Sequence, residues 1–176
     1  VVPPSFDYAA AAELHVPALV SDPGSSQAHA DEIAERLPAL IDLDEATLVI
    51  FTSWRQLEAV TAALPPKLLA RVLSQATETK GRILARHRER VDAGEGSVIF
   101  GLASFAEGID LPGDYCRHVI VTKLPFAVPD DPVEASVAEW LEARGRNPFM
   151  EVSVPDAALR LKQACGRLLR SEQDTG

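Results

Sequence analysis

Thr47-Leu48-Val49-Ile50-Phe51-Thr52-Ser53-Trp54 (TLVIFTSW) is an unbroken apolar run that ends in two hydroxyls at the start of a helical pattern. A run this short, rich in β-branched residues and without strict alternation, reads as a strand buried on both faces. Ser97–Gly101 (SVIFG) and His118–Thr122 (HVIVT) have the same character, and a shorter run lies around Leu69–Leu73. The stretch His15–Val20 is a further candidate strand. Helical patterns fall between and after these runs, at Gln27–Ile41, Trp54–Leu64, Thr79–Ala93, Pro132–Arg144 and 155–170. In the first of them Ala30, Ile33, Ala34, Leu37 and Ile41 recur at helical spacing, and Pro38 is expected to disturb its last turn. Strands that alternate with helices predict an α/β fold with a parallel sheet and helices on both faces.

Composition narrows the function classes. The chain has 176 residues with 47% hydrophobic content, which suits one soluble domain with an ordinary core. No apolar run reaches the ~18 residues of a membrane span, so no membrane partner is expected. The chain opens Val1-Val2-Pro3-Pro4 without a methionine, which predicts a piece of a longer protein, and no signal peptide is read there. Two cysteines, Cys116 and Cys165, cannot build a disulfide framework or a four-thiolate metal site, and the four histidines have no ligand spacing. No metal is read in this chain, and a reducing, cytoplasmic setting is expected. The net charge of −9 argues against a surface that coats nucleic acid, yet Lys80–Arg90 holds five Lys/Arg against one Glu. Arg160, Lys162, Arg167 and Arg170 form a second basic concentration. Runs of this kind are more often solvated helix faces than binding sites.

In open α/β sheets ligands bind beyond the carboxyl ends of strands, so the segments after each strand matter most. Thr52 and Ser53 follow TLVIF at a helix start, where hydroxyls suit phosphate, although taken alone simple N-capping is the better reading of them. SVIFG leads into Leu102–Gly113, a long connection bearing Ser104, Glu107, Gly108 and Asp110 and ending in a Pro112-Gly113 turn. HVIVT leads into KLPFAVPDDP, Lys123–Pro132, where prolines stiffen the loop. Near the C-terminus, QACGRLLR (Gln163–Arg170) gathers Gln163, Gly166, Arg167 and Arg170 within roughly 100° of arc if helical. Its opposite side carries Cys165, expected to be a small core residue. Asp44-Glu45-Ala46-Thr47 imitates a magnesium-binding acidic box, but it precedes a strand instead of following one and reads as a turn. No GxxxxGK[ST] loop is present, so the chain cannot cradle a nucleoside triphosphate unaided.

In this order, TLVIFTSW, SFAEGIDLPG and QACGRLLR resemble motifs IV, V and VI of the second motor domain of superfamily 2 DNA helicases. The KLPF-x-x-P-x-x-P passage and RNPF at Arg146–Phe149 resemble the DinG branch of the XPD-like group, and SFDY at Ser5–Tyr8 resembles the domain entry. The YoaA-like helicases are an alternative within that group. The resemblance spans residues 5–176 and implies a RecA-like (P-loop NTPase type) helicase C-terminal domain. It implies ATP and Mg2+ shared with a first motor domain that supplies the phosphate loop, and single-stranded DNA as partner. Arg167 and Arg170 would then be arginine fingers, with Gln163 orienting the same site. Glu107, Gly108 and Asp110 would couple nucleotide to DNA, and Thr52, Ser53 and Ser104 would bond DNA phosphates. The family's iron–sulfur cluster would sit in the first domain, and a final strand would follow Gly176. The alternative function is a non-catalytic α/β nucleic-acid-binding or protein-interaction module with vestigial motifs. An RNA-directed member of the superfamily is a third reading.

Overall fold

The computed structural model describes residues 8–127 and 132–168. The chain forms two compact units, Val1–Lys123 with Ala164–Gly176, and Leu124–Gln163.

In the first unit, a helical turn α1 (Tyr8–Ala11) precedes α2 (Ser26–Leu40), β1 (Ala46–Phe51) and α3 (Trp54–Ala63). After them come α4 (Pro66–Leu69), β2 (Val72–Ser74), α5 (Lys80–Asp92), β3 (Ser97–Leu102), α6 (Ala103–Ala106), a 3-10 turn (Gly113–Tyr115) and β4 (His118–Val121). The four strands form one parallel sheet in the order β2-β3-β1-β4. β1 is central: Ala46 pairs with Ser97 through to Phe51 with Leu102, and Thr47 with His118 through to Ile50 with Val121.

Alternation along β1 and β3 splits the core into two layers. Val49, Phe51, Val98 and Phe100 face Ala30, Ile33, Leu37, Leu57, Val60 and Leu68 from α2, α3 and α4. Leu48, Ile50 and Ile99 face the other way, onto Ile83 of α5 and Phe105, Ile109 and Leu111. Helices therefore cover both faces, and the fully buried strands explain why the sequence shows continuous apolar runs. Phe51 and Phe100 anchor the first layer with ring centroids 5.0 Å apart, a separation that suits a tilted aromatic pair. Gly96 precedes β3 where a Cβ would lie 1.9 Å from the Leu43 carbonyl oxygen, so only glycine fits there.

Two expectations are corrected. The stretch 12–20 is not a strand: Leu14, Val16 and Val20 are exposed, Pro17 has no N–H for a ladder, and the Val20 and Ser21 amides donate to Glu32. The run around Leu69–Leu73 divides, with Leu69 ending α4 and the strand itself shifted to Val72–Ser74. The helix expected over Gln27–Ile41 runs Ser26–Leu40, with Pro38 in its last turn and the Ile41 N–H donating to Leu37 at 3.0 Å. Of the acidic tetrapeptide, Asp44 and Glu45 lie in the turn before β1, as read, while Ala46 and Thr47 already begin the strand at the amino end of the sheet.

The second unit holds α7 (Pro132–Glu142), a π-helical turn (Phe149–Ser153) and α8 (Val154–Cys165), whose last residues belong to the first unit. Within it Phe126 and Phe149 meet at 5.3 Å between centroids, and the Arg144 guanidinium lies 3.9 Å over Trp140. Arg146 pairs with Glu151, and Asn147 accepts from the Met150 amide at 3.3 Å, so the RNPF passage is internally braced.

Candidate functional site

The carboxyl ends of β1 and β3 lead into Thr52, Ser53, Ser104, Glu107, Gly108 and Asp110, six of the residues singled out from sequence. Thr52 is exposed directly after β1. Ser53 is also exposed, and its Oγ accepts the Gln56 amide at 3.2 Å, making it the N-cap of α3. That bond occupies a lone pair and leaves the hydroxyl proton available to an acceptor.

Behind these hydroxyls lies a buried polar network that the sequence did not disclose. The Gln56 side chain turns inward, and its Oε1 accepts from the Thr122 hydroxyl at 3.1 Å. The Thr122 hydroxyl is also 3.1 Å from the Ile50 carbonyl, which ties the end of β4 to β1. His29 Nε2 donates to the Thr122 carbonyl at 3.1 Å, since a carbonyl only accepts, and Ser21 Oγ lies 3.3 Å from His29 Nδ1. Lys123 donates to the Pro23 carbonyl at 2.8 Å. Glu32 fixes the same segment by accepting the Val20 and Ser21 amides at 3.0 and 2.8 Å. Hydrogen bonds from Ser21, first its side chain and then its backbone, with Val20 next, hold the Glu32 carboxyl down at about 2. The available signal was a glutamine at an inward position of α3, beside Leu57 and Val60.

β3 ends in a close approach. Gly101 lies beneath Phe105 so closely that a Cβ would meet the ring at 2.7 Å. Gln75 extends the β2–β3 ladder, its amide donating to Phe100 at 3.0 Å and its Oε1 accepting from Leu102 at 2.9 Å. α6 then presents Ser104 to solvent while Phe105 and Ala106 are buried. Gly108 adopts φ +68, the left-handed region that suits glycine, and ends this turn. Ile109 and Leu111 anchor the loop in the core, with Glu107 and Asp110 exposed beside them.

Three cations bind this loop by its backbone. Lys80 Nζ donates to the Glu107 carbonyl at 2.8 Å, Arg167 Nη1 to Ile109 at 3.0 Å, and Arg88 Nη2 to Asp110 at 3.0 Å. The basic run of α5 is thus not a merely solvated face. Arg82 and Arg86 pair with Glu78, and Arg90 donates to the Arg71 carbonyl at 2.8 Å. His87, on the inner side of the same helix, spans Ser97 Oγ at 2.9 Å and the Tyr115 carbonyl at 2.8 Å. Burial pushes its pKa below the usual histidine value, against the pull of the Tyr115 bond, and Arg88 and Arg90 add to the depression.

The helical reading of QACGRLLR is corrected. α8 ends at Cys165, and Gly166–Leu168 form a turn in which Arg167 and Leu168 amides donate to Ala164 and Cys165 at 3.1 and 3.0 Å. Glycine is a poor helix former, and tightening to i−3 bonds is a usual way for a helix to stop. Cys165 is exposed instead of sitting in the core, and Ala164 packs against the second core layer. Gln163 is exposed in the last turn of α8 and belongs to the second unit. Arg170 lies outside the described residues, as does most of the SFDY passage and 128–131 of the proline-rich loop. Among the described residues no cluster of His, Cys, Asp or Glu could hold a metal, and no helix is long and apolar enough to cross a membrane.

A parallel sheet layered by helices on both faces, with loops and an arginine gathered at its carboxyl end, defines a RecA-like α/β domain. The family model of the helicase C-terminal domain matches residues 38–176. The chain belongs to that family. It is 41% identical over 174 residues to the ATP-dependent DNA helicase DinG of Photobacterium profundum, covering 97% of this chain and 25% of the relative. It is 33% identical to the ATP-dependent helicase DinG of Mycobacterium tuberculosis over 172 residues, again 97% of the chain and 25% of the relative. The chain thus spans a quarter of the length of these relatives. Among solved structures, an XPD helicase shares the fold with a TM-score of 0.61 at 18% identity, covering 86% of this chain and 27% of that one.

Proposed function

We propose that this domain is the second motor domain of an ATP-dependent, 5′ to 3′ DNA helicase of the DinG type, working in the cytoplasm on single-stranded DNA. Membership of the helicase C-terminal family over residues 38–176 carries this reading. A first motor domain of the same protein would hold ATP and Mg2+ with its phosphate loop, and would carry the iron–sulfur cluster. The nucleotide supplies the phosphoryl group. This chain's residues position and neutralise it.

Arg167 suits a finger role because a guanidinium stays charged and its planar fork matches phosphate oxygens. Its contact with the Ile109 carbonyl keeps it beside the loop that bears Glu107, Gly108 and Asp110. Its Nη1 is given to that carbonyl, so a γ-phosphate that draws the guanidinium toward itself would pull on the loop, which links nucleotide occupancy to it. Arg170 would be the second finger and Gln163 the orienting amide. Glu107 and Asp110, both exposed, would accept from Arg or hydrated Mg2+ across a domain cleft. Thr52, Ser53 and Ser104 present hydroxyls at strand ends, where they would donate to DNA phosphates without reading sequence.

The test is Arg167→Ala and Arg170→Ala in the full-length protein. DNA-stimulated hydrolysis is expected to fall by about 10³-fold or more, the low end of the finger effect in GTPases, with ATP binding retained. Near-normal turnover in both variants would refute the finger assignment. The isolated domain is expected to show no hydrolysis.

A further inference from the structure

We infer that Lys80 and Arg88, two residues of α5 outside the recognised motifs, are positioning residues that hold the Glu107–Asp110 loop while Arg167 is engaged elsewhere. The inference rests on the motor-domain reading above.

The geometry starts at the end of α6. The last carbonyls of a helix lack intrahelical donors, and Gly108 turns the chain away at φ +68. The Glu107 and Asp110 carbonyls are taken by Lys80 Nζ at 2.8 Å and Arg88 Nη2 at 3.0 Å, both charged donors. Each cation is steadied by an aromatic ring of the same region. Lys80 Nζ lies 5.4 Å from the Phe105 centroid and the Arg88 guanidinium 5.9 Å from that of Tyr115. Between them, the Ile109 carbonyl is held by Arg167 at 3.0 Å.

These three bonds differ in what the motor cycle demands of them. Arg167 has two claims on one guanidinium, the Ile109 carbonyl and a phosphate. When it moves to the phosphate, the loop loses one of its three charged donors. Lys80 and Arg88 come from one helix, separated by eight residues, and lie outside TLVIFTSW, SFAEGIDLPG and QACGRLLR. They keep Glu107 and Asp110 in register at the moment those carboxylates are needed. Charge-assisted donors are roughly twice as strong as neutral ones, which suits a clamp that must outlast the departure of its neighbour.

The experiment uses the full-length protein with Lys80→Met and Arg88→Met together, which keep the aliphatic stems and remove the donors. Amide exchange over Gly108–Leu111 is expected to quicken by about tenfold or more, the equivalent of losing one to two charged hydrogen bonds. The kcat for DNA-stimulated ATP hydrolysis is expected to fall about tenfold while KM for ATP stays within about twofold. Lys80→Arg with Arg88→Lys should restore both readouts. Arg88→Met alone, at an exposed position, should show the same pattern at smaller size if the double variant melts. Unchanged loop exchange overturns the inference, and so does faster exchange with unaltered kcat. A wild-type protein that shows no DNA-stimulated hydrolysis would instead overturn the helicase reading on which the inference rests.

Discussion

Replacing Gly101 by alanine tests whether the close seat of Phe105 on β3 holds the site loop in place. The new Cβ would lie 2.7 Å from Phe105 Cδ1, 3.0 Å from Cγ and 3.2 Å from the Phe105 Cβ. Ordinary carbon contacts begin at about 3.5 Å, so the ring or β3 must yield by most of an ångström. β3 cannot yield easily, because Gly101 is paired with Ile50 in the interior of the sheet. Phe105 is 3% exposed and packs among Ile99, Ile109 and Leu111, so its ring has no empty space to enter. Overpacking of this kind costs about 1–3 kcal/mol. The displaced ring would carry α6 with it, and hence Ser104 and the loop that follows. The assay is urea denaturation of Gly101→Ala, Phe105→Ala and the double variant. The double variant should be more stable than the sum of the two single losses by about 1 kcal/mol or more, since alanine at 105 lacks the Cγ and Cδ1 that the new Cβ would meet. Strict additivity, or a Gly101→Ala loss below about 0.5 kcal/mol, would refute the reasoning.

Gly96→Ala should be more damaging still, about 3 kcal/mol or more, because its Cβ would fall 1.9 Å from a backbone oxygen of Leu43; a denaturation midpoint equal to wild type would contradict this. The histidine of α5 gives a pH signature. His87 is neutral and its folded pKa lies below 6.5, so only the unfolded chain takes up a proton as pH falls through that value. Stability should therefore decline below about pH 6.5, by at most about 1.4 kcal/mol per pH unit, and level off for this group once pH passes its folded pKa. Denaturation midpoints at pH 7.5 and 5.5 should separate more for wild type than for His87→Gln. Equal separations would show that His87 does not contribute.

The layered fold was legible because burial on both faces leaves an unmistakable mark on the chain. β1, β3 and β4 were read within a residue or two, each being a compact run of Val, Ile, Leu or Phe. β2 was misplaced because a three-residue strand beside a short helix carries too little pattern to set its register. His15–Val20 looked like a strand on local hydrophobicity, yet its polar backbone is claimed at one end by Glu32, a residue of α2. The family was legible too, because the residues of its motifs lie close together in sequence. The partners of those motifs were not.

Which residues are available to a loop, a strand end or a ligand depends on distances the sequence does not contain. Lys80 meets Glu107 across 27 positions, Arg88 meets Asp110 across 22, and Arg167 meets Ile109 across 58. Thr122 meets Gln56 across 66 and His29 across 93. Local pattern alone determined β1, β3 and β4, the alternation of strands with helices and the family, because periodicity and burial are set by neighbours in the chain. The tertiary structure decided that the basic run of α5 clamps a loop, that Arg167 leaves its helix to join that clamp, and that a buried polar network closes the end of β4. Each of these is a choice of hydrogen-bond partner, and only the folded chain brings the partners within reach.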